Sequence, residues 1–126
     1  MTTHRSLTML AAAAALLIAT AAWAERPKLS PGLVARGRSA YAVHCAACHG
    51  PRGFGDGEAC AALETRPRNF AKDEFRNGRQ PAEAFATLSN GLAGTDMRSY
   101  AGIDEEERWG LSYYVLILRT AGKRAP

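Results

Sequence analysis

Leu33, Val34, Gly37, Ala40 and Tyr41 recur at steps of three and four residues, the spacing of a single helix face. Ser30 stands before this run with a side chain suited to an N-cap, and Pro31 suits a first helical position. The pattern predicts a helix from Pro31 to about His44. Gly37 lies on its apolar face. Glycine costs a helix about 1 kcal/mol against alanine, so close approach of another backbone is the expected return. Pro81 opens a second helical stretch with Phe85 and Leu88 on its inner face, stopped by Ser89-Asn90-Gly91. A last helix begins in an acidic turn, Asp104 to Glu107, favourable at the positive end of the helix dipole. It carries Trp109, Tyr113, Tyr114, Leu116, Ile117 and Leu118, and is expected to end near Arg119, before Gly122.

Turn residues dominate between these helices. Pro27 and Pro31 make residues 25–31 an extended lead-in. Gly50 to Gly57 is too glycine-rich for helix or strand, and lacks the Lys-Ser/Thr ending of a phosphate loop. Ala59 to Leu63 reads as a short helical turn and Arg66 to Phe70 as extended chain. Asn69 is placed to cap a short helix through Phe75, ended by Asn77-Gly78. Leu92 to Gly102 is a loop with Met97 inside it. Period-two alternation and internal repeats are missing. The fold class is therefore all-α, with three to five helices and long loops. Loops of that length are usually functional or packed on a ligand.

The first 24 residues read as a leader rather than as fold. Arg5 is followed by an apolar, alanine-rich run from Leu7 to Ala22 and then by Ala22-Trp23-Ala24, the order of a secretory signal peptide cut after Ala24. An uncleaved anchor is the alternative, although the run is short against the about 20 apolar residues of a span. Residues 25–126 then form one domain, exported to the periplasm. At about 100 residues its own apolar core is marginal without help. The chain's net charge of +4 is spread over scattered arginines with no basic run interleaved with aromatics, so nucleic acid is not the expected partner. A cationic face for an acidic redox partner is the better reading.

The chemistry concentrates in Cys45-Ala46-Ala47-Cys48-His49. Two thiols at this spacing, with an imidazole directly behind, are the signature of covalent haem attachment. Each thiol adds to one vinyl group, and His49 ligates the iron. A thiol–disulfide motif needs a sheet that the sequence lacks, and zinc needs a second pair of ligands. Export and haem attachment agree, since haem is joined to such chains outside the cytoplasmic membrane. Beyond the leader, Met97 is the only methionine, and it sits in a loop rather than on an apolar helix face. It is the candidate sixth ligand. His44, beside Cys45, is better read as a surface or hydrogen-bonding residue. Sulfur ligation favours ferrous iron, and two filled axial positions suit electron transfer rather than catalysis.

In order and spacing, these pieces resemble a class I cytochrome c domain of the bacterial periplasmic kind: Gly37-Arg38-Ser39-Ala40-Tyr41, the Cys45–Gly50 motif, Gly53-Phe54-Gly55-Asp56-Gly57, Arg66 to Phe70, Asn90-Gly91 to Met97, and Trp109 to Tyr114. The resemblance implies one covalently attached haem c in a crevice with one rim exposed. It also implies close crossing of the first and last helices, Gly37 and Tyr41 meeting Trp109 to Tyr114. The Pro67 carbonyl is the expected acceptor for His49, with Arg66 and Arg68 near a propionate. Phe54, Phe70, Phe85 and Leu92 are expected in the haem wall, and Trp109 in the helix contact. The implied role is a monomeric, non-enzymatic carrier of single electrons between respiratory or dehydrogenase complexes. The alternatives are an accessory haem subunit docked to one dehydrogenase or reductase, and a gas-binding protein with a weak sixth ligand. Two departures stand out: Asp96 where the pattern has proline before the ligand methionine, and an extra cysteine, Cys60, expected to be buried rather than bridged to a second chain.

Overall fold

The computed structural model describes residues 26–124; the proposed leader and its cleavage point lie outside them. The described residues hold four α-helices and one 3-10 helix and contain no strand. They are α1 (Pro31–His44), α2 (Ala46–His49), a 3-10 helix (Glu58–Ala62), α3 (Pro81–Asn90) and α4 (Glu105–Arg124). None of the described helices is long and apolar enough to cross a membrane.

Helix ends follow local chemistry. Ser30 Oγ accepts from the Leu33 amide at 3.2 Å, giving α1 its cap. Gln80 and Glu83 form a capping box at α3, with the Gln80 amide donating to Glu83 Oε2 at 2.7 Å. Asp104 Oδ1 accepts from the amides of Glu106 and Glu107 at 2.9 and 3.3 Å and so starts α4. Two boundary expectations need correction. The last helix continues past Arg119 to Arg124. Gly122 does not end it; its missing Cβ makes room for Ala71, whose Cβ would lie 2.6 Å from one added there. Residues 69–75 form a turn rather than a helix. Asn69 Oδ1 accepts from the amides of Ala71 and Lys72, and no further helical turn follows.

Two glycines bring α1 and α4 together. A Cβ on Gly37 would strike the Gly110 carbonyl, and one on Gly110 would lie 2.6 Å from the Leu33 carbonyl. The backbones therefore touch, as the glycine on the α1 face predicts. Leu111 and Ser112 beside this contact are fully buried, with Ser112 Oγ donating to the Arg108 carbonyl at 2.8 Å. Tyr41 packs edge-on against Tyr114, ring centroids 5.4 Å apart. Its hydroxyl donates to the Gly50 carbonyl at 2.7 Å, so the helix crossing also holds the end of the cysteine motif.

Arg119 is a buried cation, not a solvated one at a helix end. It is 5 % exposed and donates to the carbonyls of Phe70 and Asp73 at 2.9 and 2.7 Å and to Glu74 Oε1 at 3.0 Å. A buried guanidinium persists when its donors are satisfied in this way. Through Arg119, α4 fixes a segment that has no regular structure of its own.

Candidate cofactor site

α2 is one turn of helix that carries the motif. Its amides bond within the turn, His49 to the Cys45 carbonyl at 2.8 Å and Gly50 to Ala46 at 2.8 Å. The carbonyls at its end would be orphans, and the glycine loop supplies their donors. The amides of Gly55 and Gly57 reach the carbonyls of His49 and Cys48 at 2.8 and 3.2 Å. A Cβ on Gly57 would collide with the Ala47 carbonyl, which explains a glycine there. Cys60 joins this network. Its half-buried thiol points inward, 3.1 Å from the Cys48 carbonyl and 3.2 Å from that of Gly55.

Above the motif opens a cavity of about 330 Å3, within the range of roughly 300–1,000 Å3 typical of cofactor sites. Cys45, Cys48 and His49 form its base. The segment from Leu63 to Phe70 forms one wall, and α3 with the Leu92–Met97 loop forms the other. The cavity thus brings together Cys45, Cys48, His49, Met97, Pro67, Phe70 and Leu92, the expected set save Phe54 and Phe85.

The His49 ring stacks on Phe70 with centroids 4.7 Å apart, and its Nδ1 lies 3.3 Å from the Arg68 carbonyl. A carbonyl only accepts, so Nδ1 carries the proton and the Nε2 lone pair is left for a metal. Burial pushes the imidazole below its ordinary pKa, the direction that favours the neutral ring a metal ligand must be, and that hydrogen bond opposes the shift in part. The Cys45 thiol is pushed up to about 12 by burial and by the adjacent Cys48. A thiol–disulfide catalyst needs the opposite shift. Among the described residues, no three His, Cys, Asp or Glu side chains are grouped to hold a metal ion.

Met97 faces the cavity from a tight loop. The Leu92 amide donates to the Met97 carbonyl at 2.8 Å, and the Met97 amide donates to Thr95 Oγ1 at 3.1 Å. Asp96 is an exposed residue of the cavity lining, and its carboxylate is turned to Thr65. Hydrogen bonds from Thr65, first from its amide, hold the Asp96 carboxyl below its usual range.

Three expected roles change. The carbonyl paired with His49 belongs to Arg68, one residue beyond Pro67; Pro67 is buried in the wall with its carbonyl over Gly55. Successive carbonyls of extended chain turn to different sides, so a shift of one residue changes the partner. Phe54 lies outside the cavity, beneath the Arg52 guanidinium at 4.7 Å and beside Gly122. Phe85 is also outside; it stacks on Trp109 at 4.1 Å, and α3 turns Ala84, Thr87 and Leu88 inward instead. Trp109 keeps its expected place in packing rather than in the cavity. Sequence reasoning missed His44, Tyr100 and Val115 as lining residues. Tyr100 donates to the His44 carbonyl at 3.2 Å, closing the wall beside Cys45. Its position three residues after Met97 was the available signal.

An all-helical chain wrapped round a cleft with two thiols and a neutral imidazole at its base belongs to the haem-binding proteins that attach their cofactor covalently. The sequence profile described as "Cytochrome c" matches residues 34–119, and the chain belongs to that family. Covalently bound haem c and haem-based electron transfer come with this membership. No curated protein matches the sequence. Among solved structures it is similar to a chain of the reducing HAO-like protein complex of Kuenenia stuttgartiensis, with 29 % identity and a TM-score of 0.69 over 75 % of this chain and 47 % of that one. The chain therefore spans about half the length of that relative.

Proposed function

We propose that this protein is a periplasmic, monomeric mono-haem cytochrome c that carries single electrons between larger redox complexes, with His49 and Met97 as the axial ligands. One observation carries the reading: His49, its Nδ1 set against the Arg68 carbonyl, the thiols of Cys45 and Cys48 and the thioether of Met97 all line one cavity. When bound, haem supplies a one-electron iron couple. Cys45 and Cys48 hold it by thioethers, which prevents its loss outside the cell. Arg68 keeps the imidazole in the ligating tautomer. Met97 provides a soft sulfur that favours the ferrous state. With His49 and Met97 both holding the iron, no site would be left open for substrate, which suits a carrier rather than an enzyme. Arg66, Arg68 and Arg76 on the cavity border suit a docking partner with an acidic face. Residues 1–24 act as the export signal. The inward thiol of Cys60 agrees with a monomer, since it is engaged within its own chain.

A second reading, a haem subunit fixed to one partner enzyme, draws on the similar chain that belongs to a complex and on the exposed side chains of Leu29, Val43 and Ile117. Salt separates the two. A transient carrier loses partner affinity steeply as ionic strength rises, and a fixed subunit co-purifies with its partner.

Met97→Ala in the haem-loaded protein tests the ligand set. The expected result is loss of the weak red absorption of ferric sulfur–iron bonding, a potential lower by on the order of 100 mV, within the about 0.8 V that axial ligation spans, and new binding of carbon monoxide. An unchanged spectrum and potential would remove Met97 from the ligand set. Ready carbon monoxide binding by the unaltered protein would favour a gas-binding role.

A further inference from the structure

Thr65 and Asp96 lie 31 positions apart and join across the cavity. Asp96 Oδ2 accepts from the Thr65 amide at 2.7 Å and from Thr65 Oγ1 at 2.9 Å, while the Asp96 amide donates back to Thr65 Oγ1 at 2.9 Å. The pair is reciprocal. The Thr65 hydroxyl donates its proton to the carboxylate and offers a lone pair to the amide. Both the backbone and the side chain of Asp96 are thereby fixed, one residue before Met97. Three residues after Thr65 comes Arg68, whose carbonyl orients His49. A single extended segment, residues 65–68, thus touches both proposed axial residues, one directly and one through its neighbour.

The Met97 loop needs such a brace. Its other ties run to α3, where the Tyr100 amide donates to the Leu88 carbonyl at 2.8 Å and Ser99 Oγ to the Ser89 carbonyl at 2.5 Å. Those ties, with the Leu92 amide on the Met97 carbonyl, fasten the loop to itself and to α3, and none of them reaches the Leu63–Phe70 wall. Arg76 Nη1 also reaches the loop, at the Ala93 carbonyl, but the contact is long at 3.4 Å. Proline at position 96 would stiffen the chain through its fixed φ. Aspartate lacks that restraint and replaces it with hydrogen bonds.

We infer that Asp96 and Thr65 act as one positioning unit, a latch that holds the Met97 thioether over the cavity by tying its loop to the segment that orients His49. This rests on Met97 being a ligand. The loop is in equilibrium between latched and open forms, and an added ligand reports the open fraction, because its apparent affinity scales with that fraction.

The test uses the haem-loaded protein and imidazole as the probe. Thr65→Val and Asp96→Ala are each expected to raise the affinity of ferric protein for imidazole by about 3- to 30-fold and to weaken the red sulfur–iron absorption, with little change in thermal unfolding. Thr65→Ser is expected to restore parental behaviour. The double variant is expected to gain little beyond the stronger single, since the two side chains act together. Imidazole affinities within about twofold of the parent in both single variants, or fully independent effects in the double variant, would overturn the latch. Met97→Ala keeps the two levels apart. If it leaves the sulfur–iron absorption intact, the ligand assignment fails and the latch falls with it. If it abolishes that absorption while Thr65→Val and Asp96→Ala change nothing, only the latch fails.

Discussion

The α1–α4 crossing and the loops around the cavity are held together by different means. At the crossing, backbone lies on backbone through Gly37 and Gly110, and the neighbours Leu111 and Tyr41 are buried apolar bodies. Around the cavity, the chain from Gly50 to Gln80 and from Gly91 to Asp104 has little regular structure. There, side chains satisfy backbone groups: Arg119 for Phe70 and Asp73, Asn69 for Ala71 and Lys72, Asp96 for Thr65. The first region depends on shape and tolerates no added volume. The second depends on particular donors and acceptors, and its shape is that of the space it encloses. Stability and cofactor chemistry are therefore separable by mutation.

The sharpest break is at the crossing. Gly37→Val drives a branched side chain into the Gly110 carbonyl, and a loss of about 3 kcal/mol or more is expected from overpacking, read as a lower denaturation midpoint or as no folded protein. Any folded fraction is expected to keep the parental absorption spectrum. Arg119 sits on the border between the regions. Arg119→Met leaves two carbonyls without donors, an expected loss of about 2–4 kcal/mol. It also loosens Phe70 against His49, so the haem spectrum is expected to shift together with stability. Arg119→Lys should recover only part of this, since one ammonium does not reproduce the guanidinium fork. Tyr41→Phe removes the bond to the Gly50 carbonyl, at an expected cost of about 1 kcal/mol with the helix packing retained. Ser30→Ala removes only the α1 cap, for an expected loss of about 0.5–1 kcal/mol in urea unfolding with no spectral change. If Gly37→Val altered the iron ligands in folded protein, or Arg119→Met left the spectrum untouched, the division between the two regions would be wrong.

The helix frame was legible because periodicity and capping are local. Leu33, Gly37, Ala40 and Tyr41 fall on the buried face that their spacing predicts, Val34 is only half-buried, and Ser30 caps where expected. Gly122 and Asn69 misled because each has two uses. A glycine near a helix end also permits close packing, here against Ala71, and an Asn cap can serve a single turn as well as a helix. The site residues fixed by the motif assemble as a set, since their separation is covalent or nearly so. Residues joined across the cavity were not readable. Nothing local in the sequence pairs Thr65 with Asp96, or Arg119 with Phe70, and the His49 acceptor was misplaced by one residue because the rotation of an extended segment depends on what it packs against. Phe54 and Phe85, expected in the haem wall from the resemblance, pack elsewhere, because an apolar ring's place in the order of the chain does not say which apolar surface it will choose.

Every role proposed for the cavity requires a porphyrin joined to Cys45 and Cys48. The direct measurement is the mass of the chain made in a host that installs haem c, followed by the mass of the proteolytic fragment containing residues 45–49. The expected result is one haem added to the whole chain and found on that fragment, with Cys60 unmodified. A chain of unaltered mass with both thiols of the fragment free would contradict it.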